Sequence, residues 1–510
     1  MSNKDPDTKK ATKSIQYLES SNLRGRTKIK ISISPDDFFA NPLSNIQKHL
    51  SDALSIHKQN VLEIEYLINY RNGLQNILEK IRQDGSKINN VEVTNYAHEI
   101  IQFKKGFTVG KPLKYINNGQ DEDNEMTLLN QYINLCNKQS LDLDKYENIY
   151  TTGIAYTLTI SQNKDYDVDE ESPFIYKVLD NTKTFMVYAD DTLETELFSV
   201  IISTTNDERN LARETYTCYS KGMCYIFRDA ISQPEFIRQS QINISQPITE
   251  YCLNQSRIGV FEPILSQLNS FNIIRSNQLD DIEEFVNAFL VFINQDPQNI
   301  IDNIDKFRQK RILVLKSNNA NFPADIKNIQ NELDHSNINE MYNDSKVDAF
   351  NIVGVPMATS NTGQGVSGEA QTYGGGWENA QAISSIETTY IKQFENENLK
   401  KIIKLCKLDI NSGIRKLTTK NIDIKYTINK SNNILVKAQS FKYFIDSGFT
   451  AEIALELADV CDDAHLVGTQ MDKHIEEQKE KDLKLEIAKQ KLLNSIQKVE
   501  ITEDKKDTKE

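Results

Sequence analysis

The residue pattern in the middle of the chain differs from that of both flanks, and this difference constrains the fold more than any other feature. Between Leu141 and Phe261, short runs of β-branched and aromatic residues are separated by Asp, Asn and Gly, which predicts a β-rich block with hairpin turns. The runs are GIAYTLTI, PFIYKVL, TFMVYAD, LFSVIIST, TYTCYS and CYIFRD. Outside this block apolar residues recur at helical spacing, as from Ser44 to Arg82. Segregated strands and helices favour an α+β fold.

The composition is that of a folded, polar protein. Of 510 residues, 26% are charged and 38% are hydrophobic, and the mean hydropathy is −0.53. At about 150 residues per domain, this length corresponds to roughly three domains or one elaborate one. No stretch reaches the run of about 20 apolar residues that spans a bilayer. The first 20 residues lack the apolar core of a signal peptide, so we expect a protein that stays in the cytoplasm where it is made.

Cysteine, histidine and net charge exclude several classes of function. The six cysteines and six histidines are scattered, without a CxxC pair or an HExxH spacing, so zinc ribbons, disulfide frameworks and hydrolytic metal sites are disfavoured. Lys and Arg number 59 against 73 Asp and Glu, a formal net charge of −14. This balance argues against tight gripping of phosphate backbones, although an acidic wall lets a DNA duplex slide past.

A glycine-rich segment interrupts the second helical region. Seven of the 19 glycines lie between Gly354 and Gly376, and the segment ends at Trp377, where a helix of near 30 residues begins. Within it, GQGVSG at 363–368 matches the dinucleotide pattern GxGxxG, and Glu387 stands about where a ribose-binding acid belongs. That pattern requires a strand directly before the glycines and a helix directly after them. Both are displaced here, so a flexible glycine-rich loop is the favoured interpretation.

The regions on either side of the β-rich block have a simple predicted order. Residues 1–30 read as a flexible basic arm, and NNVEV near 90 as a short strand. A helix is predicted from about Leu268 to Ile293. A compact mixed segment follows, with IIDNIDKF as a helix, RILVLK as a strand and a further helical stretch at 326–333. Another helix covers about 338–350, and helices continue beyond 440.

A basic cluster marks the compact mixed segment. A solvated face around one strand is the favoured interpretation, and a docking surface for an acidic partner or phosphate is the alternative. Its members are Lys306, Arg308, Lys310, Arg311 and Lys316.

The order of these pieces resembles that of bacteriophage portal proteins, in particular the family typified by portals of tailed phages of Gram-positive hosts. The resemblance is collinear from about Tyr70 to about Leu408. Two departures are Asp180-Asn181, where the family has Asp-Pro, and a longer glycine-rich loop. The matching pieces are YRNGLQNILEK, TNYAHEIIQFKKGFTVGKPLKY, DKYENIYTTGIAYTLTI, FMVYADDT, EPILSQLNSFNIIRSNQLDDIEEFVNAFLVF and VDAFNIVGVPMA.

The resemblance implies a portal-type protomer with a mixed α/β wing, a two-helix stem, a small α/β clip, a glycine-rich channel loop, a long spine helix and a helical C-terminal crown. The implied ranges are the arm at 1–30, the wing at 31–268 and 377–440, the stem helices at 269–293 and 337–353, the clip at 294–336, the channel loop at 354–376, the crown at 441–495 and a disordered tail at 496–510.

The resemblance also implies a function without catalysis, cofactor, metal or membrane. About twelve copies would form a ring at one capsid vertex of the virion, assembled in the bacterial cytoplasm. The ring would conduct double-stranded DNA during packaging and ejection and join head to tail. Its partners would be the terminase motor, a head-completion or adaptor protein, and the major capsid and scaffold proteins. The exact subunit number, tail type and host stay open.

Particular residues carry these expectations. The channel loop would offer small polar contacts to a moving duplex, Lys346 of the second stem helix is a channel-facing candidate, and the basic cluster is the candidate docking site of the clip. Twelve copies at −14 each carry −168, which suits a channel that DNA must traverse without sticking. A nucleotide-dependent enzyme using Gly363–Gly368 and a cytoplasmic scaffold protein are the alternatives. The loop residues are Ser360, Asn361, Thr362, Gln364, Ser367 and Gln371.

Overall fold

A computed structural model describes most of the chain. The described residues are 25–82, 88–117, 123–163, 165–168, 170–206, 212–229, 234–286, 290–293, 325–328, 335–357, 376–427, 434–458, 460–461 and 464–503. They form a mixed helix and sheet protein, which confirms the α+β class. The chain divides into two compact units, with boundaries after Gly110 and Lys420. No helix among these residues combines the length and apolarity that crossing a membrane requires.

The larger unit contains the described residues up to Gly110 and those from Asp123 to Lys420. Its helices are α1 (Pro35–Ala40), α2 (Pro42–Arg71), α3 (Tyr96–Val109), α4 (Asp123–Leu135), α5 (Lys138–Thr152), α6 (Leu265–Val286), α7 (His335–Ile352) and α8 (Trp377–Leu408). Its strands are β1 (Ile29–Ile31), β3 (Ile154–Ser161), β4 (Phe174–Leu179), β5 (Thr184–Ala189), β6 (Glu196–Asn206), β7 (Ala212–Ser220), β8 (Met223–Arg228), β9 (Glu235–Gln241), β10 (Ile248–Cys252), β11 (Leu290–Ile293) and β12 (Asp325–Asn328).

Six of these strands form the main sheet, in the order β1-β5-β6-β7-β8-β9. β1 runs parallel to β5, and all other neighbours are antiparallel. Residues alternate between the two faces of a strand, so Ile29 and Ile31 are buried while Lys30 between them is exposed. The buried face packs on α1 and α2 through side chains that include Phe38, Ile46 and Leu50.

A second sheet, of order β10-β3-β4, builds the other core of this unit. Met186 and Tyr188 of the main sheet pack there with Ile248 and with Tyr390 of α8. The turn from α5 into β3 depends on Gly153, whose φ is +79°. A Cβ at that position would lie 2.5 Å from the backbone of Arg257, so only glycine allows the chains to approach this closely.

Ion pairs are fully enclosed within this body. Glu395 of α8 contacts Lys138 at 2.6 Å and Lys145 at 2.8 Å, and both lysines also bind Asp142 at 2.8 Å. We call these four residues the buried ion network. Burial alone would raise the pKa of the Glu395 carboxyl, but the two ammonium groups lower it overall.

The predicted N-terminal arm extends too far along the chain. Residues 25–30, assigned to the arm, belong to the fold, because the Arg26 guanidinium is buried against Glu262 at 2.6 Å and β1 joins the main sheet. Hydrogen bonds and an ion pair from distant residues hold this polar segment, and composition alone does not reveal them. Residues 1–24 lie outside the described range.

Two predictions on the region that follows the β-rich block are wrong. The helix expected to reach Ile293 ends at Val286, and Leu290–Ile293 instead forms β11, antiparallel to β12. The helical stretch predicted at 326–333 therefore begins with strand residues, because β12 is Asp325–Asn328. A short apolar run fits both a helix and a strand, and here pairing between residues 32 or more positions apart decides it.

The β-rich block and the long helix after Trp377 are confirmed. All six predicted runs are strands, and the structure adds β9 and β10. The long helix has 32 residues. The strand expected near 90 is wrong: residues 88–95 have no regular secondary structure and pair with no strand among the described residues.

The smaller unit pairs β2 (Lys114–Asn117) with β13 (Ile422–Lys425) and continues with α9 (Ile434–Asp446), α10 (Ala451–Ala458) and α11 (Ala464–Glu503). Gly448 has a φ of +89° and ends α9, as its position after the apolar run predicts. The Thr450 hydroxyl accepts a hydrogen bond from the Ile453 amide at 3.4 Å and caps α10. The predicted boundary at 440 falls inside α9.

Candidate functional site at the base of the helix pair

Two helices, α6 and α7, lie side by side where the predicted stem begins. The ring of Phe271 on α6 contacts the ring of Tyr342 on α7 at 5.2 Å between centroids. About two turns further along α6, a polar contact also joins the two helices. Gln278 donates a hydrogen bond to Asn339 at 3.0 Å. The two helices are therefore fixed to each other over several turns.

An aromatic and cationic cluster ties this helix pair to α3. Tyr96, the first residue of α3, shares a hydroxyl–hydroxyl hydrogen bond of 2.8 Å with Tyr342 and contacts Phe271 and Phe350 edge to face. The Lys346 ammonium lies 4.2 Å from the centre of the Tyr96 ring. We call the following six residues the base cluster: Tyr96, Phe271, Arg275, Tyr342, Lys346 and Phe350.

The electrostatics of the base cluster favour fixed charges over proton transfer. Burial raises the pKa of the Tyr342 hydroxyl to about 12, so this side chain stays protonated at neutral pH. A hydrogen bond with Tyr342 raises the pKa of the Arg275 guanidinium, which lies 4.8 Å from the Tyr342 ring centre. Cations over aromatic rings are attracted by the ring quadrupole. The cluster is thus built to hold helices together rather than to act as an acid or base.

Residues 88–95 bind along α6 through their backbone amides. The backbone amides of Asn90, Glu92 and Thr94 donate hydrogen bonds to side chains of α6. Two residues of extended chain span about 6.6 Å and four residues of helix rise about 6 Å, so alternate amides match one side chain per turn. The acceptors, in the same order, are Asp280 at 2.6 Å, Ser276 at 3.0 Å and Asn272 at 2.9 Å.

Asp280 is the charged member of this row. Its carboxylate also contacts the Lys80 ammonium at 2.7 Å and the Arg82 guanidinium at 3.7 Å. Burial alone would raise the pKa of the Asp280 carboxyl, but the hydrogen bonds from Lys80 and Asn90 lower it overall. The distal part of α6 is thereby linked to the polypeptide that follows α2.

The two flanks of the glycine-rich segment are held close together. Gly354, just after α7, has a φ of +66°, and a Cβ there would lie 2.7 Å from the Ile383 side chain of α8. At the other flank, a Cβ on Gly376 would lie 3.7 Å from Pro356. Asn379 of α8 donates a hydrogen bond of 3.0 Å to the Asn351 carbonyl. The two ends of the glycine-rich segment therefore lie close together.

Aromatic side chains attach this place to α3. The Trp377 ring lies 6.0 Å from the rings of Phe103 and Phe107. Lys104, next to Phe103 on α3, forms an ion pair with Glu387 of α8 at 2.9 Å. Burial raises the pKa of the Glu387 carboxyl, and the lysine opposes this effect. Glu387, the residue expected to bind a ribose in the enzyme alternative, is therefore engaged with Lys104.

The structure places one of the predicted site residues. Lys346 is half-buried, and its ammonium lies over rings of its own chain, so its role in a channel stays a prediction. The remaining predicted residues lie outside the described range: Ser360, Asn361, Thr362, Gln364, Ser367 and Gln371 of the loop, Gly363–Gly368, and Lys306, Arg308, Lys310, Arg311 and Lys316 of the basic cluster.

Most residues of the site were not predicted from the sequence. Asn272, Ser276 and Asp280 are polar residues at four-residue spacing on an otherwise amphipathic helix, and this stripe was a usable signal. Tyr96 and Arg275 carried no such signal, because their partners are more than 60 residues away in the chain.

These features define a class, namely an α+β structural protein in which a helix pair is anchored to a body of two sheets. Over residues 50–484, the chain matches the family model described as phage portal protein, SPP1 Gp6-like. The chain therefore belongs to this family of phage portal proteins, whose members are structural proteins rather than enzymes. No curated protein matches it.

Proposed function

We propose that this chain forms a ring at one vertex of a phage capsid and that double-stranded DNA passes through the ring during packaging and ejection. The observation that carries this proposal is the family match across residues 50–484, which includes both helices of the pair and the long α8. In the ring, α6 and α7 act as the stem, and residues 354–376 act as the channel loop. The ring joins head to tail through an adaptor protein, and its location is the virion.

The base cluster supports a mechanical role for the helix pair. DNA that moves through a channel exerts force on whatever lines it, and the helices must transmit that force to the body without tilting. The contacts of Tyr96 with both helices, and of three α6 side chains with residues 90–94, give α6 and α7 separate attachments to the body. The contacts of Gly354 and Asn351 with α8 keep the base of the proposed channel loop in place.

Charge supports the same assignment. At −14 per chain, a dodecamer carries −168, and such a wall binds DNA weakly because few counterions are released on contact. The basic cluster at Lys306, Arg308, Lys310, Arg311 and Lys316 is proposed as the docking site of the terminase motor and later of the adaptor. The major capsid and scaffold proteins are the further partners.

Particle mass tests the proposed ring directly. Twelve copies of the 58.4 kDa chain weigh about 700 kDa. We expect light scattering of the purified protein to give a mass near this value and negative-stain images to show a ring with a central hole. A protein that stays at 58.4 kDa both alone and when co-expressed with its capsid and scaffold proteins would contradict the proposal.

A loop deletion separates assembly from DNA handling. We expect removal of residues 360–374 to leave the ring intact, because the contacts of Gly354, Gly376 and Trp377 that close the flanks are retained. DNA packaging or retention should be impaired. The control replaces residues 360–374 with a Gly-Ala sequence of the same length, which keeps the spacing but not the polar side chains. Loss of the ring in the deletion variant would overturn the assignment of the loop.

A further inference from the structure

Strand β9 presents an open edge. It is the last strand of the main sheet, and among the described residues β8 is its only neighbouring strand. All seven of its residues are exposed, including Phe236 and Ile237, which are 38% and 39% exposed. Its outer side offers a row of main-chain amide and carbonyl groups, together with apolar side chains that can cover an added strand.

The edge carries little that would prevent pairing. Natural proteins shield such strands with charged residues, proline or a covering loop. β9 contains Glu235 at its start and Arg238 near its middle, and the rest of EFIRQSQ is uncharged. The β-bulge lies in β9 itself, because Ile237 has no register partner between Phe236, opposite Phe227, and Arg238, opposite Ile226. Residues 238–241 pair in regular register with residues 223–226, which leaves their outer side regular. This outer side is therefore a fitting acceptor for an extended segment.

The chain itself contains a suitable donor. The described residues begin at Gly25, and β1, which follows at once, lies at the edge of the same sheet opposite to β9. The preceding SIQYLESS alternates Ile15 and Tyr17 with polar Gln16, a pattern typical of a strand. Residues 14–20 precede Gly25 by 5 to 11 positions, so when extended they lie within about 17–40 Å of it. This reach requires an acceptor close to the start of β1.

Ring symmetry selects the neighbouring copy as the source of this donor. A closed head-to-tail ring joins two different surfaces of each subunit. Here the arm leaves one edge of the main sheet, and the acceptor lies at the opposite edge of that sheet. The faces between them are covered, by α1 and α2 on one side and by the second sheet and α8 on the other. To reach β9 of its own subunit, the arm must pass around the body. The arm of a neighbouring subunit does not have to do so.

We propose that residues 14–20 of one subunit add a strand to the open edge of β9 in the next subunit. This inference rests on the proposed ring and names a partner for one of its surfaces. The recognition is main-chain pairing along β9, with Ile15 or Tyr17 covering Phe236 and Ile237.

A photo-crosslinker tests the partner. We would place p-benzoylphenylalanine at Gln239 in the full chain, irradiate the assembled ring, and analyse tryptic peptides. Trypsin releases residues 14–24 as SIQYLESSNLR. The expected product joins this peptide to β9 and runs at about twice the mass of the 58.4 kDa chain on a denaturing gel, as only an intersubunit link can. The control position is Leu193, which is 84% exposed and lies outside β9.

A proline pair tests the mode of binding. Adjacent residues of a strand direct their amides to opposite edges, so one of Gln239→Pro and Ser240→Pro removes an amide that faces β8 and the other an amide that faces outward. We expect the first to lower the melting temperature of the chain. The second should leave it unchanged and reduce the crosslink yield, measured from the exposed Gln241 on β9, at least about tenfold. Deleting residues 2–20 should have the same effect on the yield.

The outcomes separate this inference from the ring itself. A ring whose Gln239 crosslinks to another peptide, or to 14–24 within the same chain, refutes the strand exchange and leaves the ring intact. A chain whose mass shows no ring under any condition refutes the proposed function instead. Equal crosslink yields in both proline variants would also overturn the main-chain pairing.

Discussion

Charged side chains are enclosed in one part of the larger unit and half-exposed in another. In the buried ion network the side chains of Lys138, Lys145 and Glu395 are at most 1% exposed, and each charge has a partner of opposite sign. At the base of the helix pair, Lys80 and Arg82 are 14% and 23% exposed beside Asp280, and the cations of the base cluster lie over aromatic rings.

This difference separates two jobs. A fully buried charge is very costly without its partner, so the ion network fixes one packing of α5 against α8. Half-exposed charges are screened by solvent and gain less from each contact, so the helix pair is held by many modest interactions. The body is therefore fixed by a few contacts that are costly to break, and the helix pair by many modest ones.

The largest expected effect comes from breaking the buried ion network. Glu395→Gln keeps the shape and a hydrogen-bond acceptor but leaves Lys138 and Lys145 without their shared charge. We expect the free energy of unfolding to fall by about 3–5 kcal/mol, measured by urea denaturation. The matched control is Glu480→Gln, which removes an exposed ion pair with Lys484 and should change stability by less than about 0.5 kcal/mol. Equal losses would erase the contrast between buried and exposed pairs.

Acid should weaken the body through His57, at the interface of α2 with the main sheet. Burial lowers the pKa of this imidazole from 6.5 to about 4, and its Nε2–H donates to the Thr182 carbonyl at 3.0 Å. Between these two pKa values the unfolded chain binds a proton that the folded chain does not. Stability is therefore complete above pH 6.5 and falls as the pH drops toward 4, by about 2–3 kcal/mol.

The test of this pH dependence compares His57 with a residue that does not titrate. His57→Gln keeps a donor for the Thr182 carbonyl, so its loss of stability between pH 7 and pH 4.5 should be smaller than that of the unaltered protein. The same acid-induced loss in both proteins would rule out His57 as the titrating group.

A smaller effect is expected at the row of polar contacts on α6. Asp280→Asn retains an acceptor for the Asn90 amide but removes the charge that Lys80 and Arg82 contact. We expect a loss of about 1–2 kcal/mol and faster hydrogen exchange of the amides of residues 90–94. Glu340→Gln, which alters an exposed carboxylate on α7, serves as the control. Unchanged exchange at 90–94 would show that Asp280 does not hold this segment.

The smallest effect is expected for the cation over Tyr96. Lys346→Met keeps the aliphatic part of the side chain and should cost about 0.5–1 kcal/mol. Lys400→Met, an exposed lysine on α8, should cost less. Because neither partner of a cation–π contact is an anion, the effect should change little with salt. A strong salt dependence would indicate that Lys346 acts as a general charge rather than through the Tyr96 ring.

Local signals in the sequence were sufficient for much of the fold. The β-branched and aromatic runs TFMVYAD and LFSVIIST predicted β5 and β6, and the apolar stripe after Trp377 predicted α8. These elements bury the residues that the pattern marks, so local pattern and tertiary environment agree. The short run LVFI at 290–293 failed because its length fits either structure, and only its pairing with β12 decides between them.

Long-range partners could not be predicted in the same way. Glu395 lies 250 residues from Lys145, and Arg26 lies 236 residues from Glu262, so no spacing rule connects them. The segment at 88–95 resembled a strand because its run NNVEV contains β-branched residues, which are typical of strands. Its hydrogen-bond partners are side chains of a helix, which a β-pattern does not reveal.

The sequence by itself determined the α+β class, the order of the elements, the acidic charge and the resemblance to portal proteins, since these depend on local pattern and on motifs in a fixed order. Only the tertiary structure decided that charges are enclosed between α5 and α8, that Tyr96 holds both α6 and α7, and that the flanks of the glycine-rich segment meet. Each of these features depends on which distant residues come within hydrogen-bond or van der Waals distance, and chain topology sets that distance, not sequence spacing.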